Sequence, residues 1–315
     1  MKSLLFWLLL PLFLAWAATA LWVQFPGARA PALGALVVAV AVVVWLRLGP
    51  GWGWTGLAVL VLCLSGWYFS LVPRQDRDWA PDVSRIVRGE VAGDIVTLEN
   101  VRAFRWIDAD TADEAWTSRR VDLTKIEGAD MITSVWGNPL IAHLLVSFRF
   151  TDAPPVTFSV EIRREKGEKF SALGGFFRQF ELALIAADED DIVQWRAVPR
   201  AEEVRLYPLT LTPDQARQVF LQYVDLGNDL NRKPRWYNTL TSNCTTVVWQ
   251  LSKVLSPDLP LDPSLLLSGR LPEYLDKFGA LAGEGTLAEK RGRALISARA
   301  RAMPPGEDFA AWIRP

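Results

Sequence analysis

The sequence predicts an α+β protein, in which two or three membrane-spanning helices precede a domain of antiparallel strands and packed helices. Three observations lead to this class. Residues 1–72 carry three charged side chains and no acidic one. Alternating, strand-like segments dominate the first half of the remaining chain. Helical periodicity and capping residues dominate its second half.

The hydrophobic N-terminal region is long enough for three spans. A spanning helix needs roughly 20 apolar residues, with a lower limit of about 17. Proline and glycine occur where turns between such helices are needed, and several tryptophans lie near the ends of the runs, as in an interfacial belt. The spans are predicted at about residues 3–25, 30–47 and 52–72, of which the middle one is the shortest.

The first of these runs has an alternative interpretation. MKSLLFWLLL followed by AWAATA has the basic start and the small residues of a cleaved signal peptide. The run remains hydrophobic beyond Ala20, which favours a span. Two or three spans remain in either case, so the protein is predicted to be integral to the membrane. Basic residues flank the spans almost equally on both sides, so the positive-inside rule does not decide the topology.

The remaining chain, residues 73–315, is weakly acidic. Removing the three N-terminal charges from 34 basic residues leaves 31 against 35 acidic ones, a formal charge of −4. This balance gives no electrostatic footprint for nucleic acid. We divide this part into a polar connector at 73–92, a domain at 93–260 and a helical extension at 261–315.

Five segments have strand character. Of these, 140–150 and 156–165 flank the turn-rich TDAPP and are predicted to form a β-hairpin. The acidic run DEDD at 188–191 is predicted to end a strand in a solvated loop. The other strand candidates are 93–106, 180–188 and 202–209.

Helices are predicted in the second half. Thr212, Pro213 and Gln215 have the types and spacing of a capping box with proline at the first helical position. A second helix is predicted to begin near Cys244 and to stop before the prolines of SPDLPLDP. The arginine-rich segment 281–315 is interpreted as helix with a solvated basic face, or alternatively as a contact with anionic lipid headgroups.

Cys244 is the one cysteine outside the hydrophobic region. Asn243 or Ser242 is a good N-cap, so Cys244 is expected at or beside the first helical residue. Unpaired backbone N–H groups at a helix start lower a thiol pKa, and the thiolate is the reactive form. This position therefore suits a nucleophile.

His143 is the only histidine in the chain. A lone histidine on an apolar strand is commonly structural, and a lone cysteine at a helix end is commonly a small buried hydrophobe. The two together suggest a Cys–His dyad, whose members usually come from distant parts of a sequence.

A third group should orient the imidazole, and Glu161 is the first candidate. In the predicted hairpin Glu161 comes near His143, although a slip of one residue would place it on the opposite face. Asn243 is the second candidate. Glu161 and Arg163 share a face and could form a buried ion pair. The supporting residues are predicted to be Asn243, Tyr237, Ser159 and Arg163.

The sequence does not contain the motifs of a serine hydrolase or a zinc site, and its signal for a phosphate-binding loop is weak. The sequence has no GxSxG motif for a serine hydrolase. One histidine and one nearby cysteine do not make a zinc site, and the glycine pair at 174–175 is a weak phosphate-loop signal. Neither a metal nor a cofactor is expected.

Several motifs occur together in one order between about residues 94 and 255, and they resemble the Lnb N-terminal periplasmic domain family. They are NVRAFRW, AHLLVSFRF, SVEIRREKGEKFSALGGFFRQFEL, the DEDD run followed by Arg196, and WYNTLTSNCTT. The resemblance implies an extracytoplasmic domain related to the permuted papain-like fold, the group that includes lecithin:retinol acyltransferase. In that group a strand histidine precedes a helix-starting cysteine, and His143 and Cys244 match this pattern.

The resemblance also implies an activity. A member of the family is a bacterial lipoprotein N-acyltransferase, which would make membrane phospholipid the acyl donor, the N-terminal amine of a lipoprotein the acceptor, and Cys244 the carrier of a thioester. The implied location is the inner membrane, multi-pass, with the domain on the periplasmic side. The three hydrophobic runs are a departure that leaves the acceptor more open than the nucleophile. The alternatives are a cysteine amidase or peptidase of the cell envelope, expected to have an open polar groove over Cys244, and a non-catalytic envelope assembly protein.

Overall fold

A bundle of three helices forms the first part of the computed structural model, which describes residues 2–314. The helices are α1 (Lys2–Gln24), α2 (Arg29–Leu48) and α3 (Gly53–Ser70). Each is long and apolar enough to cross a membrane. Phe6, Leu10, Val43 and Leu57 pack together where the helices meet. The predicted membrane-spanning region is therefore confirmed as three helices.

A mixed eight-stranded sheet forms the centre of the second part. Its order is β1-β2-β9-β8-β7-β6-β10, with β5 also paired to β2. The pair β2–β9 is parallel, and the other pairs are antiparallel. The strands of this sheet are β1 (Arg88–Ala92), β2 (Ile95–Arg102), β5 (Trp116–Asp122), β6 (Ile126–Val135), β7 (His143–Phe150), β8 (Val156–Arg163), β9 (Glu181–Ala187) and β10 (Glu203–Pro208), while β3 (Arg105–Trp106) and β4 (Ala112–Asp113) form a separate ribbon.

Helices pack against this sheet and give the predicted α+β class. They are α4 (Ala172–Phe176), α5 (Glu189–Ala197), α6 (Pro213–Arg232), α7 (Cys244–Ser252), α8 (Leu271–Lys277), α9 (Leu287–Ala294), α10 (Ser297–Arg301) and α11 (Phe309–Trp312). The predicted capping box at Thr212 and Gln215 begins α6. The apolar face of α6 places Phe220 against Phe148, with ring centroids 5.2 Å apart. This contact anchors α6 on the middle of the sheet.

The segment predicted as a polar connector, 73–92, contributes to the domain. Its strand β1 pairs with β2, so the sheet extends beyond the predicted boundary at residue 93. Val83 is buried, and its carbonyl accepts a hydrogen bond of 3.1 Å from Arg163 Nε. The polar residues of this segment therefore have partners far along the chain, which local sequence does not show.

The prediction of a solvated loop at 188–191 is wrong. Asp188 is the N-cap of α5, and the side chains of Glu189 and Asp191 are buried. Asp191 accepts hydrogen bonds of 2.8 and 2.9 Å from Arg102, which is 1% exposed. Glu189 accepts from Arg314, at 2.7 Å. Two of the four acids, Glu189 and Asp191, are therefore buried, and distant arginines neutralise them.

Replacing Arg102 with methionine is expected to lower the free energy of unfolding by about 3–5 kcal/mol, because it leaves the Asp191 carboxylate buried without its partner. Arg88→Met is the matched control, since Arg88 and Glu99 form an exposed pair. That change should cost about 1 kcal/mol or less. Thermal unfolding in detergent measures both, and equal destabilisation would contradict the argument.

Candidate active site

Cys244 is the first residue of α7, and Asn243 caps this helix. The Asn243 side-chain oxygen accepts hydrogen bonds from the backbone N–H groups of Thr245, at 3.0 Å, and Thr246, at 2.9 Å. The cap therefore holds the first turn in helical geometry at the thiol. The sulfur is placed where the positive end of the helix dipole favours a thiolate.

His143 begins β7, and its buried side chain lies near enough to the Cys244 thiol for each group to shift the pKa of the other. The ring Nε2 lies 2.7 Å from Ser159 Oγ and 3.1 Å from Glu161 Oε1. Since Nε2 is engaged by these two oxygens, Nδ1 is the nitrogen left for the sulfur. The structure thus brings together the two residues of the predicted dyad, which are separated by a hundred positions in the chain.

Glu161 lies opposite His143 because of the register of the hairpin. Leu145 pairs with Ser159, and the same antiparallel register extended by two residues on each strand places Glu161 opposite His143. Ser159 Oγ donates a 2.6 Å hydrogen bond to Glu161 Oε1, the same oxygen that faces the imidazole. Nη2 of Arg196 also donates to this oxygen, at 3.1 Å. The carboxylate is therefore fixed between the histidine and an arginine.

The electrostatics of the site favour a charged pair. Burial alone would lower the pKa of His143, but the Glu161 carboxylate and the hydrogen bonds to Cys244 and Glu161 outweigh it and raise the pKa to about 9. Burial would raise the pKa of Cys244, but the hydrogen bond and charge of His143, with a backbone bond from Leu144, lower it. Both shifts act in the direction of a thiolate–imidazolium pair. The pKa of Glu161 is lowered despite its burial, chiefly by His143 and Arg196.

The supporting residues have different positions. Ser159 bridges the imidazole and Glu161. Asn243 uses its amide for the helix cap and for a 2.8 Å bond to the Thr239 carbonyl, so its contacts are those of a cap. Tyr237 is buried, and burial, with the nearby Cys244, raises the pKa of its phenol.

The predicted ion pair between Glu161 and Arg163 is wrong. Arg163 donates to the carbonyls of Val83 and Ser84, at 3.1 and 2.7 Å, and lies over the Trp79 ring at 4.5 Å. Glu161 pairs with Arg196 instead. Arg163 therefore joins the 73–92 segment to the sheet.

Two residues of the site were missed from sequence. Arg196 on α5 is 5% exposed and also lies 3.6 Å from Glu202. Its only signal was its place after the DEDD run. Tyr223 on α6 belongs to the apolar periodicity that predicted core, and its hydroxyl is buried without a hydrogen-bond partner among residues 2–314. A buried hydroxyl without a partner is visible only in three dimensions.

A cavity of about 390 Å³ lies next to the elements that carry the dyad, although neither His143 nor Cys244 is among its lining residues. Leu144 and Thr245, the chain neighbours of His143 and Cys244, form part of its wall. The remaining wall is mostly apolar and includes Val146, Tyr223, Val248, Trp249, Leu265, Leu271 and Tyr274. This volume and lining suit a hydrocarbon chain, whereas the hydrolase alternative called for an open polar groove. No group of metal-ligating side chains suited to an ion occurs in the described part of the chain.

The dyad lies close to the end of the third span. The backbone N–H of Arg74 donates a 2.9 Å hydrogen bond to Glu181, the first residue of β9. Ala183, two residues further along, pairs with Glu161, which in turn lies opposite His143. With about 4.8 Å between strands and 3.3 Å per residue, His143 is about 12 Å from that attachment point. The dyad and the end of α3 are therefore attached to neighbouring parts of the same sheet.

The comparisons with known proteins point to one family. Residues 112–270 match the family described as the Lnb N-terminal periplasmic domain. The matched range is half of the chain and contains His143, Glu161 and Cys244. No curated protein and no solved structure matches the chain significantly.

Proposed function

The chain belongs to the Lnb N-terminal periplasmic domain family, and from this premise we propose that it is a thiol acyltransferase of the bacterial inner membrane. Its three apolar helices and its family make it a membrane-anchored protein with a periplasmic domain. The observation that carries the proposal is the Cys–His–Glu arrangement, with a mostly apolar cavity walled in part by the chain neighbours of the cysteine and the histidine. Phospholipid is the proposed acyl donor, and the N-terminal amine of a lipoprotein is the proposed acceptor.

The first half-reaction forms a thioester. The Cys244 thiolate attacks an ester carbonyl carbon of the phospholipid, so a C–S bond forms and the ester C–O bond breaks. The His143 imidazolium gives its proton to the departing lysophospholipid oxygen. Glu161 holds the ring and stabilises its positive charge before transfer. The acyl chain occupies the cavity during this step.

The second half-reaction transfers the acyl group. The acceptor amine attacks the thioester carbonyl, so a C–N bond forms and the C–S bond breaks. His143, now neutral, takes the proton that the amine loses. The thiolate–imidazolium pair is then restored, and no cofactor enters the balance.

Both steps pass through an oxyanion that needs hydrogen-bond donors. At the start of α7 the Cys244 backbone N–H is the proposed first donor, because the N–H groups of Thr245 and Thr246 are held by the Asn243 cap. The Tyr223 hydroxyl is a second donor, since it is unpaired within residues 2–314 and its side chain lines the cavity. Burial raises the pKa of this phenol, so it keeps its proton at neutral pH.

Replacing Tyr223 with phenylalanine is expected to slow acylation of Cys244 roughly 10²-fold, because one oxyanion donor is removed. Stability should not fall, since a buried unpaired hydroxyl gives no net stabilisation. Tyr274→Phe is the matched control: Tyr274 also lines the cavity, but its hydroxyl donates to the Pro260 carbonyl at 2.9 Å. An unchanged acylation rate in Tyr223→Phe would exclude the assigned role.

Intact mass measurement tests the proposed function. The full-length protein is incubated in vesicles of phosphatidylethanolamine and phosphatidylglycerol, and its mass is measured before and after neutral hydroxylamine. We expect one fatty-acyl adduct that hydroxylamine removes and that peptide mapping places on Cys244. Cys63, in α3, is the internal control and should remain unmodified.

The fate of the adduct distinguishes the alternatives. With a diacylated lipopeptide present, the proposal expects the acyl mass to move to the peptide amine. Release as free fatty acid, with or without the peptide, would indicate a hydrolase. A folded protein that never acquires the adduct would favour an envelope amidase, a peptidase or a non-catalytic assembly role.

A further inference from the structure

The segment around α4 is bound to the ends of two membrane-spanning helices. Gln24, the last residue of α1, donates through Nε2 to the carbonyls of Phe177, at 2.6 Å, and Arg178, at 3.0 Å. Arg178 in turn donates to the carbonyls of Tyr68 and Leu71 at the end of α3, at 3.0 and 3.2 Å. These contacts fix the α4 segment at the level where the spans leave the bilayer.

This segment exposes large apolar side chains at that level. Phe170, Leu173 and Phe176 are 57%, 50% and 40% exposed. Leu240 is also exposed, in a turn that contacts α4 through a 2.8 Å bond from Thr239 Oγ1 to the Ala172 carbonyl. We call these four residues the α4 surface. Large apolar side chains that adjoin a membrane span are found in interfacial segments, where they are buried among lipid headgroups and upper acyl chains.

The α4 surface is also joined to the nucleophile. The Thr239 carbonyl accepts a 2.8 Å hydrogen bond from the Asn243 side chain, which caps the helix of Cys244. Gly175 of α4 packs so closely on the same turn that an added Cβ would lie 3.1 Å from the Tyr237 ring. A short chain of direct contacts therefore connects the exposed apolar residues with the cysteine.

We propose that the α4 surface inserts into the interfacial layer of the leaflet where α1 and α3 end. Its partner is the bilayer itself, because the surface continues directly from the lipid-facing ends of two spans. The insertion would place the turn before Cys244 at the lipid surface. This inference does not depend on acyl transfer, and it would hold equally for a hydrolase or an inactive member.

Depth measurement on the full chain tests the proposal. In a Cys63→Ala, Cys244→Ala background, Phe170→Cys, Leu173→Cys and Phe176→Cys are labelled singly with a small fluorophore and reconstituted in phosphatidylethanolamine–phosphatidylglycerol vesicles. Quenching by a nitroxide on a shallow lipid position is compared with quenching by aqueous iodide. Circular dichroism and thermal unfolding show whether each labelled variant is folded.

Two reference positions bracket the result. Native Cys63, exposed on α3, reports a label inside the bilayer when only Cys244 is replaced. Ile107→Cys reports an apolar position that is 66% exposed and distant from the spans. Ile107 follows β3, which comes after the end of β2, and that end of β2 pairs with Ala187. Ala187 is the last residue of β9, whereas the first residue, Glu181, is bonded to Arg74. We expect lipid quenching at the α4 surface several-fold stronger than at Ile107, with weaker iodide quenching. Quenching equal to that at Ile107 at all three positions would overturn the proposal.

Discussion

Replacing Cys244 with alanine is expected to lower acyl transfer roughly 10⁴- to 10⁶-fold, and replacing His143 in the same protein should add almost nothing. We expect the two side chains to act as one unit, because the imidazolium lowers the pKa of the Cys244 thiol and so favours the thiolate. Once the sulfur is absent, the imidazole has no nucleophile to activate. Single-turnover transfer from phospholipid to a lipopeptide amine measures the two single variants and the double variant.

The controls for this experiment are structural. Cys244 contributes a small, partly buried side chain at the edge of the core, so Cys244→Ala should unfold within a few degrees of the wild type. Cys63→Ala should retain full activity, since that thiol is exposed on α3, outside the domain that contains His143 and Cys244. A Cys244→Ala protein that still transfers acyl groups at the wild-type rate would place the nucleophile elsewhere.

Replacing Glu161 with glutamine is expected to lower the maximal rate roughly 10²-fold and to move the alkaline limit of activity downward. In the wild type, activity should rise with pH as the Cys244 thiol ionises and fall as His143 loses its proton, with a pKa of about 9. Without the Glu161 charge, burial and Arg196 both oppose the imidazolium, so the histidine pKa should fall. The Cys244 thiolate and the His143 imidazolium should then coexist over a narrower pH range with a lower upper limit.

The pH dependence of single-turnover acylation measures this shift. Glu165→Gln is the matched control, because Glu165 is a partly exposed carboxylate that pairs with Arg77 and does not contact His143. Its profile should coincide with that of the wild type. If the alkaline limit of Glu161→Gln stays near pH 9, the carboxylate does not set the histidine pKa, and its role is limited to packing.

Local patterns in the sequence predicted much of the fold and the centre of the site. The three spans follow from uncharged length, and α6 follows from its capping box and apolar spacing. The turn-rich TDAPP predicted the hairpin whose register brings Glu161 opposite His143. These features depend on neighbouring residues, so a single sequence contains the information for them.

The parts that sequence did not reveal depend on distant partners. Strand β6 contains Asp130, a buried acid of a type that is uncommon in buried strands. Arg314, near the C-terminus, forms an ion pair with it. Glu189 and Asp191 appeared solvated because their arginines are equally remote. Arg196 and Tyr223 were missed as site residues for the same reason. Both lie on helices whose packing against the sheet determines what they contact.

The hydrogen bonds from Gln24 and Arg178 fix the position of the domain relative to α1 and α3. If the domain were joined to the spans by a flexible linker, the site could take any height above the bilayer that the linker length allows. Here two helix ends and the backbone at Arg74 are bonded to the domain, so the sulfur is held at one height above the bilayer. We expect this fixed height to select acceptors by the distance of their amine from the lipid surface. Under the proposed acyl transfer, amines carried at the lipid surface would meet the thioester, whereas amines on long soluble stalks would lie above it, even when their chemistry is identical.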